Sequence, residues 1–250
     1  MFKYVDDMSI VECRNSTGPS NIQSTLNELI SWCEEKQMKL NPAKCSRMEI
    51  SFMRNPPDPP TLRIEDHDLV TVNDTKVLGV IIQSNLKWDK QVQSIVNKAN
   101  SRIHILRILK RHGLPQQDLM TLYNSFVRPV TEYAAPVWSG ALTNHDKSSI
   151  ERIQKRALCI IMGHEYTTYH DVLSMGDLVS LEERRSSLCV SFIEKTLKNT
   201  SQFRQFLPPE VTNTRSRRKQ RQYAEPHCKT TRMQKSAIPY LVHLLNSSES

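Results

Sequence analysis

The chain of 250 residues has no C-x-x-C pair, no basic-then-apolar leader at its start and no apolar run near the roughly 18–20 residues that span a bilayer. Its six cysteines, Cys13, Cys33, Cys45, Cys159, Cys189 and Cys228, are scattered, as free thiols would be. These absences predict an intracellular protein of the nucleus or cytoplasm, neither secreted nor membrane-borne. The pairs Cys159 with His164 and His227 with Cys228 lack the four-ligand spacing of a structural zinc site. His104 and His112 are too far apart along one helix to pair on a metal. No Walker loop, dinucleotide fingerprint or Ser-His-Asp ordering occurs, which removes support for those enzyme classes. Internal repeats are absent as well.

What the chain does have is positive charge, unevenly placed. Its formal net charge is +8 at pH 7. Residues 1–210 carry 26 Lys and Arg against 24 Asp and Glu, whereas residues 211–250 carry 8 against 2. A second basic tract holds Lys87, Lys90, Lys98, Arg102, Arg107, Lys110 and Arg111 against Asp89 alone. Such tracts suit a polyanion, because neutralising phosphates releases condensed counterions. On charge alone, a solvated helix face fits equally well.

Hydrophobic patterning divides the chain into a mixed first part and a helical second part. Phe2, Tyr4 and Val5, then Asp6-Asp7, then Met8, Ile10 and Val11 read as a β-hairpin with both carboxylates at its turn. Ser20-Asn21 caps a helix with Ile22, Leu26, Leu29, Ile30 and Cys33 on one face, and Asn41 before Pro42 marks its expected end. Met48, Ile50 and Phe52 alternate with polar neighbours, which predicts a half-buried strand. Pro56, Pro57, Pro59 and Pro60 make a stiff loop, followed by short strands at residues 62–64, 69–72 and 77–82.

From Trp88 the period becomes helical: Val92, Ile95, Ala99, Ile103, Leu106 and Leu109 form one stripe, stopped by Gly113 before Pro115. Further helices are expected over 116–127 and 144–162 and from Ser180, where Glu183 completes a capping-box spacing. Trp88, Tyr123 and Trp138 occupy apolar positions and read as core residues. Residues 212–235 are polar and basic, and 237–245 form a short amphipathic piece.

Two carboxylates at a turn are hard oxygen ligands held in one place, suited to a divalent cation, although Asp is also an ordinary turn residue. The tetrapeptide Tyr4-Val5-Asp6-Asp7 matches the Y-x-D-D box of reverse transcriptases. The segments after it, LNELISW (26–32), MKLNPAK (38–44), VLGV (77–80) with LKW (86–88), LYNSFVRPVTEYAAPVW (122–138), IERIQKRALCIIM (150–162) and SAIPYLVHLLN (236–246), follow in the order found in the polymerases of non-LTR retrotransposons, jockey-like elements among them. The chain therefore resembles the C-terminal part of such a reverse transcriptase over nearly its whole length.

The resemblance implies an α+β fold: the end of a palm over 1–84, a helical thumb and extension over 85–207, and a basic tail with a short terminal helix over 208–250. It implies nucleotidyl transfer assisted by Mg²⁺, with Asp6 and Asp7 as metal ligands and Asp7 alternatively holding the hairpin. Lys44 would serve the triphosphate or its leaving group, or be an ordinary surface lysine. Tyr4 would lie near the primer terminus. Lys87, Lys90, Lys98, Arg102, Arg107, Lys110, Arg111, Arg215, Arg217, Arg218, Lys219 and Arg221 would contact an RNA template and a DNA primer. The family takes a further metal-binding aspartate and its fingers from sequence before the box, which here starts at residue 4. The expectation is thus a chain that does not polymerise alone and accepts deoxynucleotide triphosphates only if its palm is completed. A non-catalytic nucleic-acid-binding module and a decayed transposon remnant are the alternatives.

Overall fold

The computed structural model describes residues 2–14, 18–56, 58–198, 202–209 and 223–248. The architecture is α+β, and the chain divides into two compact units, Met1–Lys87 and Trp88–Ser250.

The first unit is built on one helix and short two-stranded pairs. Strands β1 (Phe2–Tyr4) and β2 (Asp7–Ser9) form an antiparallel hairpin in which Tyr4 faces Asp7. Helix α1 (Ile22–Glu35) buries Leu26, Leu29 and Cys33, and Met8, Ile10, Ile64 and Leu69 pack against them. The Asn21 side chain does not cap it. Instead Glu12 reaches across the loop and accepts from Ser20 Oγ and from the Asn21 amide, both at 2.7 Å. The helix ends at Glu35, before the expected stop, because Gln37 takes a left-handed conformation at φ 56°. The Gln37 amide then bonds to Glu34 O and the Met38 amide to Cys33 O, a Schellman closure without glycine.

The remaining strands are short. β3 (Ser46–Arg47) pairs parallel with β6 (Val70–Thr71), a departure from an all-antiparallel set, and β4 (Arg63–Ile64) pairs antiparallel with β5 (His67–Asp68). The strand expected over 48–52 does not form. Pairing stops after Arg47, and Ile50 and Phe52 remain exposed despite their alternation. A strand needs a partner ladder, which alternation alone does not supply. β7 (Asp74–Val77) and β8 (Val80–Gln83) form a tight hairpin whose turn is Leu78-Gly79, both with positive φ.

The second unit is helical. α2 (Asp89–Arg111) turns Val92, Ile95, Ala99, Ile103 and Leu106 inward and closes at Gly113, φ 83°, with Schellman bonds from Gly113 and Leu114. α3 (Gln116–Leu122) runs into a π-helical turn at Tyr123–Val127 and then α4 (Arg128–Glu132). The expected helix over 116–127 is thus two segments, continued by α4, and Pro129 supplies the reason. Its ring would strike the carbonyl four residues back, and the wider turn relieves the clash. α5 (Ala135–Trp138) precedes α6 (Asn144–Met162), whose capping box joins Thr143 and Asp146. α7 (Tyr169–Met175) leads to α8 (Leu181–Lys198), which is capped by Ser180 and Glu183.

Two hydrophobic clusters among the described residues belong to the core of this unit. Ala99, Ile103, Leu106, Leu119, Tyr123, Val127, Ile153, Ala157 and Ile161 form one. In the other, Cys189 and Ile193 of α8 meet Tyr223 and Leu241, Val242 and Leu245 of α10 (Ala237–Ser248), which follows α9 (Thr231–Gln234). The terminal helix is therefore part of the hydrophobic core. Trp138 and Tyr123 are fully buried, as their positions in the pattern imply. Among the described residues no helix is long and apolar enough to cross a membrane.

Candidate nucleic-acid interface and acidic hairpin

The hairpin presents its acids to solvent. Lys3 and Met8 are cross-strand neighbours; Met8 packs on the α1 core, and the Lys3 ammonium sits 4.7 Å from the centre of the Trp32 ring. Tyr4 and Asp7, the next pair, share the outward face, and Asp6 lies in the turn; all three are exposed. Val5 holds the turn at φ 51°, a conformation that strains a β-branched residue. Among the described residues no side chain pairs with either carboxylate.

A resident Mg²⁺ does not fit this donor set. Magnesium demands near-octahedral oxygen ligands and sheds its water reluctantly. Among the described residues no three Asp, Glu, His or Cys side chains gather where they could hold a metal. Lys44 ends the 3₁₀ turn Pro42–Lys44, which Asn41 caps by accepting from the Ala43 amide, and its side chain is exposed. No hydrogen bond or ion pair links it to the two aspartates.

The cations of α2 split into two groups. Lys90, Lys98 and Arg111 are exposed, and Arg107 is half-buried. Arg102 is spent inside the unit: it stacks over the Phe126 ring at 4.4 Å and donates to the Phe126 carbonyl in the π-helical turn. Lys110 likewise donates to Ile161 O at 3.0 Å, near the end of α6. Both therefore tie helices together. Lys87, exposed, ends the first unit. Arg215, Arg217, Arg218, Lys219 and Arg221 lie outside the described residues.

Two exposed arginines that charge counting along α2 overlooks stand on α6. Arg156 donates to Asn100 Oδ1 on α2 at 2.9 Å, and Arg152 donates to Ser149 Oγ at 2.8 Å. Both line a groove of about 610 Å³ between the two helices. Their signal in the sequence is the i, i+4 spacing beside the apolar stripe Ile150, Ile153, Ala157 and Ile161.

Beneath this surface lies a buried polar network. Tyr123 donates to Gln154 Oε1 at 2.5 Å, and Gln154 donates to Tyr169 Oη and to Val179 O at 3.0 and 2.9 Å. Tyr169 in turn donates to Glu151, which also accepts the Leu181 amide at 3.1 Å. Burial pushes both phenols well above their ordinary range, so they act as neutral donors that fix α6 against α7 and α8. Arg184 makes a two-pronged contact with Glu132, at 2.5 and 3.2 Å, which binds α8 to α4. These groups hold α6, one wall of the groove, against its neighbours.

Comparison with known proteins adds three findings. The family model described as "Alkylated DNA repair protein alkB homolog 8, N-terminal" matches residues 88–128, from just before α2 to the first residue of α4. No solved structure matches the chain. The chain is similar, at 23% identity over 225 residues, to the "Probable RNA-directed DNA polymerase from transposon X-element" of Drosophila melanogaster, and the match takes in 86% of this chain. It takes in 24% of the fly protein, so the chain spans about a quarter of the curated relative it matches. The similarity relates this chain to a transposon's RNA-directed DNA polymerase.

Proposed function

We propose that the chain is the C-terminal part of a non-LTR reverse transcriptase, and that alone it holds an RNA template and a DNA primer by their backbones without joining nucleotides. The observation that carries this reading is the similarity to the X-element polymerase across 86% of the chain. Exposed basic residues on its helical unit support it. In this reading residues 1–84 end the palm, and the helices after them form the thumb. Lys87, Lys90, Lys98, Arg107 and Arg111 reach phosphates, while Arg102 and Lys110 keep the thumb helices together.

Asp6 and Asp7 are the metal-binding carboxylates of this ancestry, with Tyr4 beside them and Lys44 available to a triphosphate. In a complete site Mg²⁺ would neutralise charge on the transferring phosphate. Two adjacent carboxylates need a further ligand to hold it, so nucleotide addition awaits a partner that supplies one. Primer extension on an RNA template, with the intact chain and Asp6→Ala compared, tests the catalytic half of the reading. The expected result is no synthesis by either. Template-dependent extension by the native chain that Asp6→Ala abolishes would overturn it.

A further inference from the structure

We infer that the groove between α2 and α6 seats one phosphodiester strand, held by Arg152 and Arg156 of α6 and, further along, by Arg107 and Arg111 of α2; the inference rests on the nucleic-acid reading above and names its seat. On the α2 wall Gln93, Val96 and Asn100 line the groove. Continuing along that flank at steps of three and four brings His104, Arg107 and Arg111. On the α6 wall Ser149, Arg152 and Arg156 line the groove with Gln93, Val96 and Asn100. Lys110, bonded to Ile161 O at 3.0 Å, keeps the two helices adjacent to the far end, so the walls stay parallel along the cationic stretch.

Charge along the groove is polarised. Its acids, Asp89 and Asp146, sit where the two helices begin, and Asp146 is occupied by the Thr143 amide and hydroxyl at 3.0 and 2.6 Å. His145 lies 4.0 Å from Asp146 at the same end. Beyond that end the charged side chains of the two flanks are arginines. Arg152 and Arg156 are one helical turn apart, and among the described residues each makes one hydrogen bond from a guanidinium with five N–H donors. Ser149 and Asn100 orient them, which lowers the entropy cost of gripping a phosphate. Helices in contact lie about 8–10 Å apart, so the trough between them accepts a single strand rather than the width of a duplex.

The test measures binding of a short fluorescent single-stranded RNA by the intact chain across a salt series. The native chain is compared with Arg152→Ser/Arg156→Ser and with Lys195→Ser/Lys198→Ser, exposed charges on α8 matched in number. All three should melt alike, since the four positions are solvent-facing. Two lost contacts should make the salt slope shallower by about 1.4 and weaken binding about tenfold in the groove variant, with the α8 variant unchanged. A groove variant that binds like the native chain overturns the seat and leaves the nucleic-acid reading standing. Failure of the native chain to bind at low salt overturns that reading, and the seat with it.

Discussion

Glu12 shows how one side chain far from any reactive group can organise the first unit. Its carboxylate takes the place of the expected Asn21 cap, and the hydrogen bonds from Ser20 and the Asn21 amide hold its pKa below the ordinary 4.5. A lowered folded-state pKa contributes stability that is present above the unfolded value and is lost as pH falls through the folded one. Glu12→Gln should therefore melt earlier than the native chain at neutral pH, with the two melts converging well below pH 4.5. A difference of equal size at both pH values would contradict this role. The Y-x-D-D box was legible because its residues are contiguous. The fates of Arg102 and Lys110 were not, since their carbonyl partners lie 24 and 51 residues away.

Among the elements, α2, α6 and α8 were legible because each combines an apolar stripe with a recognisable stop or cap. The π-helical turn was not, since it answers a steric conflict at Pro129 that the stripe does not record. The strand over 48–52 failed for the opposite reason: its pattern is clear and its ladder is missing. Helix α10 carries the sharpest prediction. Gly140 lies so close to it that an added Cβ would stand 2.3 Å from Tyr240 Cγ. Gly140→Ala should push Tyr240 off its seat and cost about 1–3 kcal/mol in urea unfolding, with faster protease cleavage before α10. Unchanged stability would mean that α10 is not docked as described.

For the molecule as a whole, the α+β organisation follows from the change in hydrophobic period near Trp88, which coincides with the start of the second compact unit. Composition marked the basic character of the chain and not the arginines of α6. Arg152 and Arg156 of α6 share a groove with Gln93, Val96 and Asn100 of α2, an arrangement that appears only when two distant segments pack together. In the proposed function the chain grips nucleic acid through its phosphates. The most direct test of that grip is the association constant of the intact chain with a short RNA–DNA template–primer, followed from low to high salt. With four or more cations engaged, the logarithm of the constant should fall linearly with the logarithm of salt, at a slope steeper than about −3. A flat dependence, or no binding at the lowest salt, would contradict the claim.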